Sequence, residues 1–292
     1  MHKQNCGFIT SKNLTIYFRY IYREGIPLFN MYIKIALLVL VTLISASCAT
    51  TDNTISEVQV RQPLLVGITP NYPPVIFKRN DGIVGVEADL ARRLADELDR
   101  TVRFVELSWE DQISALLDGR IDIIMSGMSV TMARKVRINF SDHYLTSGLV
   151  AMMHAEDVRE YSTINDIKQG LLQIGVVEGT TSDEFVRKNF PAAVRIASFK
   201  NASDAVMPLK NRSIDIFVHD APSIIWLVSE NEADLTALWE PLNTEYLAWG
   251  VRKDDQELLI KINSILDKWK KDGTLNSILL RWLPSQYLER FK

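Results

Sequence analysis

From residue 62 onward, short apolar runs alternate with amphipathic stretches, and the whole alternation occurs twice. Residues 63–68 read as a buried strand, ended by the prolines Pro70, Pro73 and Pro74. Asn80-Asp81-Gly82 is a turn signal. Apolar residues Val86, Leu90, Leu94, Ala95 and Leu98 have helical spacing over 86–98. A strand at 102–107, a helix at 109–117 ended by Asp118-Gly119, and a strand at 121–126 follow. An apolar strand at 149–153 precedes the second round. There, strands at 173–177, 195–199 and 214–218 alternate with helices at 182–189, 203–211 and 221–229. Next comes a strand at 247–251 and an amphipathic helix over 257–270, with Leu258, Leu259, Ile262, Ile265, Leu266 and Trp269 on its apolar side. Gly273 breaks that helix, and 275–282 forms a last one before Pro284.

Strand–helix alternation of this kind predicts an α/β fold with mainly parallel sheets wrapped by helices. Two such rounds predict two lobes with a cleft between them. In open α/β sheets, ligands bind beyond the carboxyl ends of the strands. Four polar clusters fall at such ends: Thr69–Tyr72, Ser126–Arg134, Glu178–Thr181 and His219–Asp220.

The first 48 residues follow different rules. Residues 35–44 are a ten-residue apolar run, half of what a membrane span needs (about 20 residues). With Lys34 before it and Ser45-Ala46-Ser47 after it, the run reads as a signal-peptide core with a small-residue cleavage site. Met31 is the expected start, which makes 1–30 an upstream extension translated in error and 31–47 the signal peptide. Cys48 directly after the small residues looks like a bacterial lipobox, although Ser45 stands where an aliphatic residue is expected. Lipid attachment at Cys48 is the expectation, with plain secretion as the alternative. Residues 48–61 are polar and read as a tether.

Bulk composition narrows the classes. The 292 residues are 47% hydrophobic and 24% charged, with formal net charge −3. Five of the 33 Lys and Arg and one of the 36 Asp and Glu lie in residues 1–47, which leaves 28 basic against 35 acidic residues, net −7. An acidic chain has no electrostatic support for nucleic acid. Four His and two Cys argue against a Cys/His zinc site, and nothing in the sequence calls for a cofactor.

The richest stretch is 126–134, Ser-Gly-Met-Ser-Val-Thr-Met-Ala-Arg. It places the hydroxyls of Ser126 and Ser129, the backbone at Gly127 and the Arg134 guanidinium at a strand-to-helix junction. Thr131 is a helix N-cap, the helix terminus adds partial positive charge, and an Arg there can hold a carboxylate through two parallel hydrogen bonds. Taken alone, a solvated Arg paired with a nearby acid explains the residue better. Thr180 and Thr181 offer a second set of donors or act only as caps, with Glu184 completing a capping box on Thr181. Asp220 is either an N-cap or a carboxylate facing the cleft, able to accept from an ammonium group. Tyr72 and Trp109 either wall a ligand or pack against the lobe. Glu178 is either a contact for a cationic group or solvated.

Several runs together resemble one family: 65–74 (Leu-Val-Gly-Ile-Thr-Pro-Asn-Tyr-Pro-Pro), 85–91 (Gly-Val-Glu-Ala-Asp-Leu-Ala), 109–122, 126–134, 140–144 (Phe-Ser-Asp-His-Tyr), 175–181 (Gly-Val-Val-Glu-Gly-Thr-Thr), 215–220 and 269–275. In this order they are similar to the extracellular solute-binding proteins of family 3, the amino-acid receptors of ABC importers, over about 62–284. The resemblance implies a two-lobed periplasmic-binding-protein-like fold of type II. Lobe 1 would span 62–150 and 247–292, lobe 2 would span 151–246, and two crossing strands near 148–153 and 246–251 would join them. It also implies that Arg134, with Ser129 and the Gly127 backbone, holds the α-carboxylate. Thr180 and Thr181 would add donors, Asp220 would take the α-ammonium, and Tyr72 and Trp109 would wall the side-chain pocket. The expected protein is a monomeric, lipid-anchored periplasmic receptor that closes on an amino acid and delivers it to an inner-membrane permease, without catalysis. This sequence departs from the family's pattern at Gly127, which offers no hydroxyl, at Val86, where an aromatic is common, and at Val75, where Phe is frequent. The alternative on the same fold is a periplasmic cyclohexadienyl (prephenate or arogenate) dehydratase, with Glu178 or Asp220 as its acid.

Overall fold

Strand β1 (Pro63–Ile68) leads through a three-stranded meander, β2 (Asn71–Tyr72), β3 (Ile76–Arg79) and β4 (Gly82–Val84), into helix α1 (Val86–Glu97). Then come β5 (Thr101–Glu106), α2 (Gln112–Leu117), β6 (Ile123–Ile124), α3 (Met132–Arg137), β7 (Asn139–Phe140) and β8 (Leu145–Ser147). The second round holds β9 (Leu149–His154), α4 (Ile164–Gln169), β10 (Gln173–Val177), α5 (Thr181–Asn189), β11 (Arg195–Phe199), α6 (Val206–Lys210), β12 (Ile216–Asp220), α7 (Ala221–Glu230) and β13 (Leu235–Leu238). The chain returns through β14 (Glu245–Leu247) and β15 (Gly250–Val251) and ends in α8 (Gln256–Asp272), α9 (Thr274–Trp282) and α10 (Ser285–Arg290). This computed structural model describes residues 61–291. The upstream extension, signal peptide, Cys48 and nearly all of the tether lie outside the described residues.

The two sheets share one plan. The first has the order β5-β1-β6-β15-β7 and the second β11-β10-β12-β9-β13. In each, the first three strands are parallel and the fourth is antiparallel. That reversed strand is the segment arriving from the other lobe: β15 in the first sheet, β9 in the second. Between the sheets, β8 and β14 pair antiparallel, with Ser147 opposite Glu245. This pair is the hinge: β8 ends just before the expected crossing at 148–153, and β14 overlaps the start of the one at 246–251.

The two rounds also share a chemical device. Asp122 Oδ2 accepts from the Leu65 N–H at 3.1 Å, and Asp215 Oδ2 accepts from the Gln173 N–H at 2.6 Å. Each aspartate satisfies the edge of the neighbouring strand with its side chain, so the ladder starts only after it. That is why the expected strand 121–126 is reduced to two paired residues and the expected 214–218 begins at Ile216. At the other end, Ser126 Oγ accepts from the Thr69 N–H at 2.8 Å. A side chain again replaces a ladder bond, and the chain is free to leave the sheet at the cluster 126–134. The expected strand 247–251 breaks at Ala248–Trp249, where the backbone passes from hinge to sheet. The expected helix 203–211 is a 3-10 turn (Ala202–Ala205) followed by α6.

The apolar stripe of α8 is buried as its spacing predicts, at Leu258, Ile262, Leu266 and Trp269. Each such side chain contributes roughly 1.5–3 kcal/mol. Gly273 ends the helix in the left-handed conformation, φ 82°. Trp269 meets Trp249 edge-on at 6.4 Å, both fully buried. Trp282 Nε1 donates to Asp89 Oδ2 at 2.8 Å, and Lys268 pairs with Glu97 at 3.0 Å, which fastens the C-terminal helices to α1 in the first lobe. No helix among the described residues is long and apolar enough to cross a membrane.

Candidate functional site

A cavity of about 560 Å³, including the solvent at its mouth, lies where the strand ends of the two sheets face each other. Tyr72, Trp109, Gly127, Ser129, Arg134, Thr180, Thr181 and Asp220 all line it. Glu178 does not. Its carboxylate holds Lys200 at 2.7 Å on the surface.

Arg134 sits in the first turn of α3. Thr131 caps that helix, its hydroxyl accepting from the Arg134 N–H at 3.2 Å. The cap fixes the chain direction and turns the guanidinium back over the junction. There Nη1 donates to the Ser129 carbonyl at 2.8 Å, and the guanidinium lies 5.2 Å from the centre of the Trp109 ring. Arg134 forms no ion pair with any described residue, although it is partly buried. Burial lowers its pKa, and the charges of Glu184, Glu245 and Asp220 pull it back up. An arginine stays protonated through such shifts, so the cavity contains a cation whose remaining donors are unspent.

Trp109 lies in a turn just before α2, because the Ser108 hydroxyl bonds Asp111 and delays the helix to Gln112. The expected helix began at Trp109. Starting it later lets the indole reach across the cleft, where Nε1 donates to the Gly179 carbonyl at 3.0 Å.

Asp220 ends β12 and begins α7, yet its side chain makes no capping bond. Instead Oδ2 accepts from the Tyr72 hydroxyl at 2.9 Å, across the cleft. Burial raises its pKa to about 6, against the opposing pull of the Tyr72 hydroxyl and Arg134. Thr180 is the N-cap of α5, so the expected capping box on Thr181 is absent. The Thr180 hydroxyl donates to the Val177 carbonyl at 2.7 Å, and no side chain caps the helix. The first-turn N–H groups of α5 therefore remain for something else to satisfy.

Gly127 has φ +67°, and a Cβ there would overlap the Tyr72 ring, with Cδ1 at 2.8 Å. Only glycine lets the ring lie flat against this backbone. Its N–H, expected to face a ligand, donates instead to Glu87 Oε2 at 2.6 Å. Glu87 is fully buried, and burial raises its pKa to about 8. Tyr144, Gly127 and Trp249 oppose that rise, yet Glu87 Oε1 has no partner in hydrogen-bond geometry.

Four further residues escaped the sequence reading. Glu245, on the hinge strand β14, accepts from the Ser129 hydroxyl in the first lobe and from the Thr181 hydroxyl in the second at 3.0 Å. Both hydroxyls expected to serve a ligand are thus held by a hinge carboxylate. Asn71 and Asn201 bond to each other across the cleft. His219 lines the cavity beside Asp220. His219 and Asn71 fell within polar clusters at strand ends without a role of their own, but Glu245 and Asn201 carried no local signal. Among the described residues no cluster of His, Cys, Asp and Glu is arranged to hold a metal ion.

Residues 64–285 match the bacterial extracellular solute-binding proteins, family 3. The chain belongs to this family. The L-cystine-binding protein TcyJ of Escherichia coli strain K12 is 26% identical over 232 residues, 79% of this chain and 86% of that protein. An ancestral arginine-binding protein bound to arginine superposes with TM-score 0.71 at 33% identity, over 77% of this chain and 99% of the other. The ancestral amino acid-binding protein AncCDT-1, a precursor of cyclohexadienyl dehydratase, gives TM-score 0.70 at 32% identity, over 75% and 95%. This family-3 chain is a solute-binding protein with the two-lobed α/β fold, and its relatives include the ABC transporter arginine-binding protein 1 of Escherichia coli strain K12, 29% identical over 224 residues, 75% of this chain and 89% of that protein. AncCDT-1, the relative connected with the dehydratase alternative, is itself an amino acid-binding protein.

Proposed function

We propose that this family-3 protein captures one free α-amino acid in the interlobe cavity and presents the closed form to an ABC permease. The observation that carries the reading is charge placement. Arg134 on the first lobe is a partly buried cation with no ion-pair partner among the described residues, and Asp220 on the second lobe has one hydrogen bond, from Tyr72. A zwitterion satisfies both at once. Its carboxylate takes the free guanidinium donors and the uncapped N–H groups of α5, and its ammonium takes Asp220. Tyr72 and Trp109 form the walls. Because the two charges lie on different lobes, the ligand binds the closed form more tightly than the open one and shifts the population toward it.

The carrier role extends to the rest of the chain. A signal peptide at 31–47 exports the protein to the periplasm, Cys48 is lipid-modified there, and the protein works as a monomer tethered to the membrane. Palmitate labelling of the wild-type chain and of Cys48→Ala tests the anchor. Thermal shift against the protein amino acids tests the ligand class. A binder at 100 times its Kd adds about 2.7 kcal/mol to stability. Its methyl ester and its deaminated analogue, each lacking one charged end, leave the melting temperature unchanged. If the esters stabilise as well as the acids, the two-ended grip is wrong.

A further inference from the structure

Three charged side chains line the cavity: Arg134, Asp220 and Lys200. On the reading above, on which this inference rests, the first two are consumed by the amino acid's backbone ends. Lys200 is held by Glu178 at 2.7 Å, with Glu110 at 4.0 Å, and stays solvated at the mouth. A further acid, Glu245, lies behind the lining. Its Oε2 is covered by the hydroxyls of Ser129 and Thr181, and its Oε1 accepts from Asn243 at 3.0 Å. Among the lining residues a cationic ligand side chain would therefore find no open carboxylate, and an anionic one no open cation. Either would be stripped of water without a counter-charge, which is the costly case.

His219 is what the cavity leaves unsatisfied. It is 6% exposed, with Tyr72 and Phe217 rings 5.8 and 5.6 Å away. Its imidazole makes no hydrogen bond to any described residue, and Nδ1 is buried without a partner. Burial holds the ring far below its usual pKa, at about 4, despite the opposing charge of Glu245. A neutral imidazole has one donor and one acceptor, and buried polar groups are ordinarily hydrogen-bonded. The paired carboxamides of Asn71 and Asn201 line the same cavity and are equally uncharged.

We infer that the ligand is an amino acid with an uncharged, hydrogen-bonding side chain, such as a carboxamide, and that His219 is the residue that selects it. This separates the chain from its arginine-bound structural relative.

The test is calorimetric titration of the purified protein with glutamine, asparagine, histidine, arginine, lysine, glutamate and methionine at pH 8. The inference expects the tightest binder among the first three, at least tenfold ahead of arginine, lysine, glutamate and methionine. His219→Leu should bring methionine level with glutamine, while His219→Gln should keep part of the preference. If arginine, lysine, glutamate or methionine binds as tightly as the best of the first three, the inference is overturned and the amino-acid reading stands. If none of the seven binds, the inference is overturned, and the thermal-shift screen against all the protein amino acids decides the amino-acid reading separately. A folded His219→Leu that retains the wild-type preference removes His219 from the role, and the wild-type ranking decides the substrate class even if the variants do not fold.

Discussion

The Tyr72 hydroxyl donates to Asp220 Oδ2 at 2.9 Å, joining the meander of the first lobe to the end of β12 in the second. No other described residue donates to that carboxylate, so the same oxygen atoms that would receive a ligand ammonium hold the lobes together without one. Tyr72→Phe removes this bond and keeps the ring that rests on Gly127. A hydrogen bond to a charged group contributes about 1.5–3 kcal/mol, enough to move a closed population substantially. Small-angle scattering should show a larger radius of gyration for the unliganded variant than for the wild type, and equal radii at saturating amino acid. Equal radii without ligand would show that the bond does not bias closure.

The position of Asp220 makes binding pH-dependent. Its pKa is raised to about 6 by burial. Below that pH the free protein carries a neutral carboxyl that cannot pair with an ammonium. Affinity should be constant above about pH 7 and fall by up to about tenfold for each pH unit well below 6, since proton release must precede pairing. Asp220→Asn should bind weakly throughout, with this slope abolished. Titrations from pH 5 to 8 measure both.

Glu87 makes a statement about stability instead. Its folded pKa of about 8 lies above the ordinary 4.5, so the folded chain keeps a proton that the unfolded chain has released. Stability is then full below about pH 4.5 and is lost as pH rises toward 8, with a slope of up to about 1.4 kcal/mol per pH unit. His219, with a depressed pKa of about 4, acts in the opposite sense, but only below its ordinary 6.5. Between pH 6.5 and 8 the fall therefore belongs to Glu87. Glu87→Gln preserves an acceptor for the Gly127 N–H and should flatten that part of the denaturation profile. An unchanged slope in the variant would mean that Glu87 is ionised in the fold.

The sequence exposed the alternation of strands and helices because each element's burial is local. The stripe Leu258, Ile262, Leu266, Trp269 needs only its own spacing to be seen. The Thr131 cap and the break at Gly273 are likewise written within a few residues. Element ends were harder, because the bonds that end them come from far away. Asp122 shortens its strand by bonding Leu65, and Asp215 does the same through Gln173. The site divides in the same manner. Arg134, Asp220 and the two threonines were visible because each lies at the end of a strand. Glu245, Asn71 and Asn201 acquire their meaning only when the lobes meet, across separations of 64 to 130 residues. The side chains also resolved alternatives that the sequence left open: Asp220 does not cap its helix, and Arg134 has no acid partner among the described residues.

The central claim is that Arg134 holds the carboxylate of an amino acid, and it is tested most directly by calorimetric titration of Arg134→Ala with the best ligand of the wild type. Removing one partner of a buried, hydrogen-bonded charge pair costs about 2–5 kcal/mol, so affinity should fall by at least about thirtyfold while the melting temperature without ligand stays near that of the wild type. A variant that is folded and binds the amino acid with wild-type affinity would contradict the account.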